Sequence, residues 1–264
     1  MRKYFCVSDV HGFYDKMIEA LDGSGFDKDN PDHIFVSCGD LLDRGNQPMQ
    51  CLSFVNQLPA DRKILILGNH ETLMDDMLKR GEPEQHDYHN GTLLTVFDSY
   101  QLLKKVTLET TLGQTFKWFS KLKAWKTYRS SLIDFYETNK YVFVHGWIPC
   151  NRNDPVKYHT KGVKYTFNED WKNGNWDAAR WLNGMDAWHQ GVRIPGKTIV
   201  CGHWHASFGN SKYHNDGVEF PDKYSTDLKQ HYANFSPFID DGIMAIDACT
   251  VLSHKVNCVV LEDE

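Results

Sequence analysis

The sequence has no CxxC pair among its 7 cysteines, no tract of consecutive histidines and no block of basic residues. It also has no stretch near the ~18 apolar residues that a membrane-spanning helix needs. Each absence closes a class. Cysteines scattered at positions 6, 38, 51, 150, 201, 249 and 258 argue against a disulfide-stapled scaffold. The start MRKYFCVSDVHG carries only a short apolar run before charge and glycine intervene. A reducing, cytoplasmic setting without disulfides is therefore expected, with no membrane partner. The 29 Lys+Arg against 35 Asp+Glu give a net charge of −6, which leaves no electrostatic footprint for nucleic acid. Internal repeats, low-complexity tracts and linkers are missing too, so a single domain over residues 1–264 is expected.

What is present is ordinary in bulk and unusual in one residue. A hydrophobic fraction of 41% with 24% charged residues in 264 can bury a sizeable core. Histidine stands out: there are 13, spread from His11 to His254. Histidine is both the commonest metal ligand and the usual acid or base near neutral pH, so their positions matter first.

Short apolar runs recur and each stops abruptly in polar residues. Tyr4 to Val7 precedes SDVHG, Ile34 to Val36 precedes SCGDLLDRGN, and Ile64 to Leu67 precedes GNHE. Tyr141 to Val144 precedes HGW, and Thr198 to Val200 precedes CGHWH. Runs of this length, rich in Ile, Val and Phe, read as buried strands, and open α/β sheets place their sites at the carboxyl ends of strands. Between them, FYDKMIEALDGSG reads as a helix stopping at Gly23, and PMQCLSFVNQLPA as a helix from Pro48 to before Pro59. That is a βαβαβ start. Residues 72–139, with TLLTVFDSYQLLKKV and QTFKWFSKLKAWKTYRSSLIDFYE, read as an inserted helical layer or cap over the sheet edge. The last segment, GIMAIDACTVLSHKVNCVVLEDE, reads as two strands joined by a short turn. All 8 tryptophans lie between 118 and 204; they read as a second hydrophobic cluster under irregular loops, the sharper option being an aromatic wall beside a site.

Asp9 and His11 stand two apart, which in an extended chain points both to one side. Alone, such a triplet is an ordinary solvated loop. Here Asp40, then Asn69 and His70, then His145, then His203 and His205 follow successive strands, delivering carboxylate, amide and imidazole to one edge. Mixed Asp, Asn and His donors without Cys suit Mn²⁺, Fe or Zn²⁺ rather than a structural zinc. The supply exceeds what one tetrahedral ion takes, so two divalent ions are expected. A two-metal site supplies a hydroxide nucleophile at neutral pH and clamps an oxyanion, the arrangement for hydrolysing phosphate esters.

SDVHG, CGDLLDRGN, LGNHE, VHGW and CGHWH resemble, in order and spacing, the signatures of calcineurin-like metallophosphoesterases. The full GDLLDRG and GNHE pair is similar to the branch that holds serine/threonine protein phosphatases and symmetrical diadenosine tetraphosphatases. The resemblance implies a four-layer α/β/β/α sandwich. It implies Asp9, His11 and Asp40 on a first metal, and Asp40, Asn69, His145 and His203 on a second, with Asp40 bridging. His205 matches a ligand of the first metal in the wider superfamily that the phosphatase branch often lacks. By resemblance His70 protonates the leaving oxygen, Asp43 orients it, and Arg44 holds the phosphate; a second phosphate ligand is expected at Arg180 in preference to Arg152 or Arg193. Glu71 is expected to be structural. Where many relatives read His-Ala-Gly, this sequence reads His145-Gly146-Trp147, which is expected to place a large ring next to a ligand, and HNGTLLT at 89–95 reads as a loop beside the site. His86, His89, His214 and His231 read as solvent-exposed.

The function expected is hydrolysis of phosphomonoesters, first as a serine/threonine-type protein phosphatase acting on phosphoprotein. Hydrolysis of a nucleotide with a polyphosphate bridge, such as bis(5′-nucleosyl) tetraphosphate, is the alternative. A nuclease is disfavoured by the missing basic patch, and a non-catalytic metal-binding scaffold by the intact ligand set.

Overall fold

The computed structural model describes residues 1–104, 106–107, 110–153, 162–220 and 232–263; His159 and His231 lie outside the described residues. Its strands are β1 (Arg2–Val7), β2 (His33–Ser37), β3 (Lys63–Ile66), β4 (Leu132–Ile133), β5 (Tyr136–Glu137), β6 (Tyr141–Phe143), β7 (Asn151–Arg152), β8 (Tyr165–Thr166), β9 (Thr198–Cys201), β10 (Phe238–Asp240), β11 (Ile243–Ala245) and β12 (Val259–Asp263). The helices are α1 (Tyr14–Gly23), α2 (Pro48–Gln57), α3 (Asn69–Arg80), α4 (Gln85–His89), α5 (Thr92–Leu103), α6 (Leu112–Phe119), α7 (Lys123–Ser130), α8 (Trp176–Ala179), α9 (Gly184–His189), α10 (Ala206–His214) and α11 (Thr250–Ser253). One five-stranded sheet runs β12-β1-β2-β3-β4 and another runs β10-β11-β9-β6-β5. Strands β1 to β4 are parallel, as are β6, β9 and β11. The βαβαβ start is as expected. Pro48 opens α2, where a missing N–H costs nothing, and the helix ends before Pro59.

Period-2 alternation stacks the layers. Tyr4, Cys6, Val36 and Ile66 of the first sheet meet Phe143 and Val200 of the second in one cluster, so the two sheets pack face to face. Their sequence neighbours point outward. Phe5, Phe35 and Leu65 pack on Met17, Leu52 and other residues of the first helical layer. Val142, Ile199 and Ile243 pack on Trp147, Trp176 and Trp188. The result is the expected four-layer α/β/β/α sandwich.

Three expectations change. Phe116, Phe119, Trp125 and Tyr128 sit in the same cluster as Phe5 and Phe35, so the helices of 72–139 form the outer layer of the first sheet rather than a cap over its edge. The helical reading also runs too far: α7 stops at Ser130, and LIDFYE forms β4 and β5, one in each sheet. Ile133, Phe135 and Tyr136 are β-branched or aromatic residues that suit a half-buried strand as well as a helix. At the other end, β11 and β12 belong to different sheets, and α11 lies in their connection. No short turn can join strands so placed. Of the tryptophans, Trp147, Trp171, Trp176 and Trp188 form the expected second cluster.

Candidate metal centre

Both sheets direct strand ends into one cavity of about 640 Å³, lined by Asp9, His11, Asp40, Arg44, Asn69, His70, His203 and His205 among others. Asp9 follows β1, Asp40 follows β2, Asn69 and His70 open α3 after β3, and His145 and His203 follow β6 and β9. A short cross-link ties the sheets together here: the His203 amide donates to Asp9 Oδ2 at 2.9 Å. The glycines of these motifs leave room for the ligands. A Cβ at Gly68 would occupy the space of Asp40 Oδ1, and one at Gly202 the space of Ser8 Oγ and Asp9 Oδ2.

The extended chain expected from Asp9 to His11 is absent. Asp9, His11, Asp40, Asp43, Arg44 and His203 have φ of 51°, 51°, 53°, 73°, 62° and 67°, six of the nine left-handed non-glycine residues described. Such conformations cost on the order of 1–3 kcal/mol each and persist where surrounding structure enforces them. Tight kinks at the strand ends, not alternation along a strand, therefore turn these side chains inward. His203 and His205 are likewise not an extended pair: His205 has φ −62° and caps α10, its Nδ1 2.9 Å from Ser207 Oγ and its ring against Phe220.

Asp40 is central. Its Oδ2 lies 4.0 Å from His11 Nε2, 3.9 Å from His70 Nε2 and 3.4 Å from His145 Nε2, while Oδ1 accepts the His70 amide at 3.0 Å. Two groups arise around it, His11 with Asp40 and His70, and Asp40 with His145 and His203, each with donor atoms within 4.8 Å. Asn69 Oδ1 joins the second, 2.7 Å from His145 Nε2. Asp9 Oδ1 joins the first, 3.9 Å from His11 Nε2.

The imidazoles are oriented as metal ligands usually are, with the far nitrogen on a backbone carbonyl and the near one turned inward. His11 Nδ1 is 3.1 Å from Leu42 O and His145 Nδ1 is 2.7 Å from Cys38 O. His203 donates to the Trp181 backbone. Burial and the nearby positive groups Arg44 and His70 hold His11 well below the usual imidazole range. Burial and the charge on His145 push His203 down to about 3. Burial and Arg44 push His205 down to about 4. Burial raises Asp9 to about 6; Asp40 adds to the rise and His145 opposes it. At His145 burial acts downward, but Asp40 outweighs it and lifts the ring to about 10. A buried acidic cluster that captures a proton this way is one a cation would neutralise. The donors are carboxylate, amide and imidazole with no thiolate, a set that fits borderline divalent ions such as Mn²⁺, Fe or Zn²⁺.

Beside the cluster, His70 Nδ1 donates to Asp43 Oδ2 at 2.8 Å, and Thr92 Oγ1 donates to the same oxygen at 2.7 Å. Arg44 Nη2 lies 3.3 Å from His70 Nε2. The Asn90–Gly91 turn lies beside the site as expected, with a Cβ at Gly91 2.5 Å from Arg44 N. His89 is exposed as expected and borders the mouth of the cavity, and His86 pairs with Glu84 and Asp87. Glu71 is structural: it accepts the amides of Asp40, Leu41 and Gly68 at 3.1, 3.0 and 3.0 Å.

Two expected site residues are elsewhere. Arg180 does not line the cavity; Asp177 and Asp134 hold its guanidinium at 2.5 and 2.9 Å. Trp147 turns from the cleft into the second cluster, where its Nε1 donates to Val192 O at 3.2 Å. Trp181, instead, lies edge-on to His203 with ring centroids 5.8 Å apart, an aromatic wall of one residue. Among the lining residues that the motifs do not mark is Asp247, 5% exposed, whose Oδ1 accepts the Cys249 amide at 2.7 Å. Burial, then Asp9, raises its carboxyl well above the usual range. The signal was there, a polar residue ending the apolar run GIMAI, as Asp9 and Asp40 end theirs.

Comparison with known proteins agrees with this geometry. The family profile "Calcineurin-like phosphoesterase" matches residues 2–218. A symmetrical bis(5′-nucleosyl)-tetraphosphatase of Xylella fastidiosa (strain M23) is 24% identical over 237 residues, 76% of this chain and 77% of that one. Another, of Psychromonas ingrahamii, is 39% identical over 67 residues, 25% of this chain and 23% of that one. Among solved structures, the cold-active protein-tyrosine phosphatase of a psychrophilic Shewanella sp. has a TM-score of 0.52 at 17% identity, covering 100% of this chain and 76% of its own. That likeness concerns the fold. With the profile spanning most of the chain and the ligand-bearing strand ends inside the match, the protein belongs to the calcineurin-like phosphoesterases, a family of metal-dependent hydrolases.

Proposed function

We propose that the protein hydrolyses phosphate esters at two divalent cations, one held by Asp9, His11 and Asp40 and one by Asp40, Asn69, His145 and His203. The observation that carries this reading is Asp40, whose Oδ2 faces imidazoles from strand ends of both sheets, His11, His70 and His145. The ions, when bound, supply Lewis acidity and a nucleophile at neutral pH. The protein's own groups do the rest. Arg44 binds equatorial phosphate oxygens through its planar fork. His70 gives the proton on Nε2 to the leaving oxygen, and Asp43 keeps the ring in place by accepting from Nδ1. Arg44 and His70 converge on one spot, as their 3.3 Å contact requires. Manganese is the first choice of metal on donor chemistry, with iron and zinc close behind.

For the substrate, the relatives' names support a bis(5′-nucleosyl) tetraphosphate or another nucleotide polyphosphate. The serine/threonine phosphatase reading rests on the GDLLDRG and GNHE motifs, which both classes share. The two are separated by a hydrolysis panel in Mn²⁺ with phosphopeptide, diadenosine tetraphosphate, a cyclic nucleotide and single-stranded DNA, using wild type and His70→Asn. Turnover of the tetraphosphate and not of the peptide supports the nucleotide reading, and the converse supports the phosphatase. A metal-loaded wild type inert across the panel would sink both.

A further inference from the structure

Arg180 has an unusual setting for a residue that reads as a phosphate ligand. It is 7% exposed, and a buried guanidinium is stable only when its charge is met. Two carboxylates meet it. Asp177, three residues back on α8, lies 2.5 Å from Nη1 and fixes the side chain against its own helix. Asp134, 46 residues away in sequence, lies 2.9 Å from Nη2. Asp134 sits between β4 and β5, where the chain passes from one sheet to the other. The pair of bonds therefore ties the end of α8 to the seam between the sheets.

The stretch held this way, residues 179–181, touches the backbone that follows His145 and the imidazole of His203. Ala179 O accepts the Trp147 amide at 3.1 Å. A Cβ at Gly146 would lie 2.6 Å from both Ala179 O and Arg180 O, so the stretch rests directly on the residue after His145. On the other side, the Trp181 backbone accepts from His203, and its indole stands at 85° to that ring, 5.8 Å away. The two imidazoles are neighbours, with centroids 5.1 Å apart. The first position has supports of its own, Ser8 and Thr250 on Asp9 at 2.5 and 2.9 Å and Leu42 on His11 at 3.1 Å, and its link to the second is the His203 amide on Asp9 Oδ2 at 2.9 Å, a backbone bond rather than a ring contact.

We propose that Arg180 is a positioning residue: clamped by Asp134 and Asp177, it holds residues 179–181 so that His145 and His203 present their ligand atoms to the second cation. This rests on the dinuclear reading above and adds to it an asymmetry. Loosening the clamp weakens the second position and leaves the first intact, which a general loss of stability does not do.

The test uses the full chain stripped of metal and titrated with Mn²⁺, read by calorimetry and by electron paramagnetic resonance. Wild type is expected to take up two ions and to give an exchange-coupled signal. Arg180→Met and Asp134→Asn should bind the first ion as wild type does. Each should bind the second about 10–100-fold more weakly, the effect expected when a partner behind a metal ligand is removed, and give the signal of isolated Mn²⁺. Arg180→Lys should restore part of the loss. Asp177, with its side chain 73% exposed, can be changed to Asn with little risk to folding and should show a smaller shift of the same sign, so the proposal stays open to refutation if Arg180→Met does not fold. Variants that keep both ions at wild-type affinity and lose only affinity for inorganic phosphate would overturn the proposal and return Arg180 to the phosphate. Equal weakening of both ions would also overturn it. A wild type that takes up fewer than two ions would overturn the dinuclear reading itself, before any variant is made.

Discussion

Tyr128 and Glu71 meet in the interior, the phenol donating to Glu71 Oε1 at 2.9 Å. The same carboxylate accepts the amides of Asp40, Leu41 and Gly68, so one hydroxyl on α7 steadies the loop that carries the central ligand. Hydrogen bonds to a charged group contribute about 1.5–3 kcal/mol. Tyr128→Phe should lose an amount of that order in denaturant unfolding. Glu71→Gln should lose more, because an NH₂ would face backbone donors, and should also lower metal content.

Asp43 Oδ2 accepts from both His70 and Thr92, while Asp43 Oδ1 has no hydrogen-bond partner among the described residues. Its part is to fix one ring. If His70 is the acid, His70→Asn should lower kcat by about 10²–10⁴-fold on substrates with poor leaving groups. Asp43→Asn should lower it less, and both should retain two ions by metal analysis. A variant that loses metal as well would place His70 among the ligands.

Asp40→Asn is expected to lose both ions, and Asp9→Asn only the first. Elemental analysis of the dialysed proteins separates these outcomes. One ion fully retained in Asp40→Asn would contradict a shared carboxylate. Chelation of the wild type should abolish hydrolysis and lower the melting temperature, since a ligand bound only by the folded state stabilises it.

Gly202→Ala tests the close approach of β9 to β1. The added methyl would displace Ser8 Oγ and Asp9 Oδ2. Overpacking of this kind typically costs about 1–3 kcal/mol. Thermal unfolding should show that loss, and metal titration should show a weakened first position.

Much of this was legible in the sequence because each strand ends where its apolar run meets a polar motif, and five such junctions repeat. Asp9, Asp40, Asn69, His70, His145 and His203 could be placed at one edge without coordinates. What failed did so for physical reasons. Asp247 ends an apolar run as Asp9 and Asp40 do, but no motif marks it, and only the packing of two sheets brings its carboxyl beside Asp9. LIDFYE suits helix and strand alike, and its pairing with β3 and β6 decides the matter. Position in a motif series points Arg180 and Trp147 at the site, but direction is set by tertiary contacts: two carboxylates for Arg180, and a buried cluster with Val192 for Trp147.

The six left-handed residues of the site also narrow which sequences can replace them. At φ near +50° to +70°, aspartate, asparagine and glycine are tolerated, and valine, isoleucine and threonine are strongly disfavoured. Most single exchanges at Asp9, Asp40 or Asp43 would therefore alter charge and backbone together, and alanine scanning would confound the two. Asparagine alone keeps both shape and conformational tolerance while removing charge. Drift away from this site thus runs through few intermediates, and a surviving Asp-to-Asn step at Asp9 or Asp40 would mark a chain that has kept its architecture and given up its chemistry.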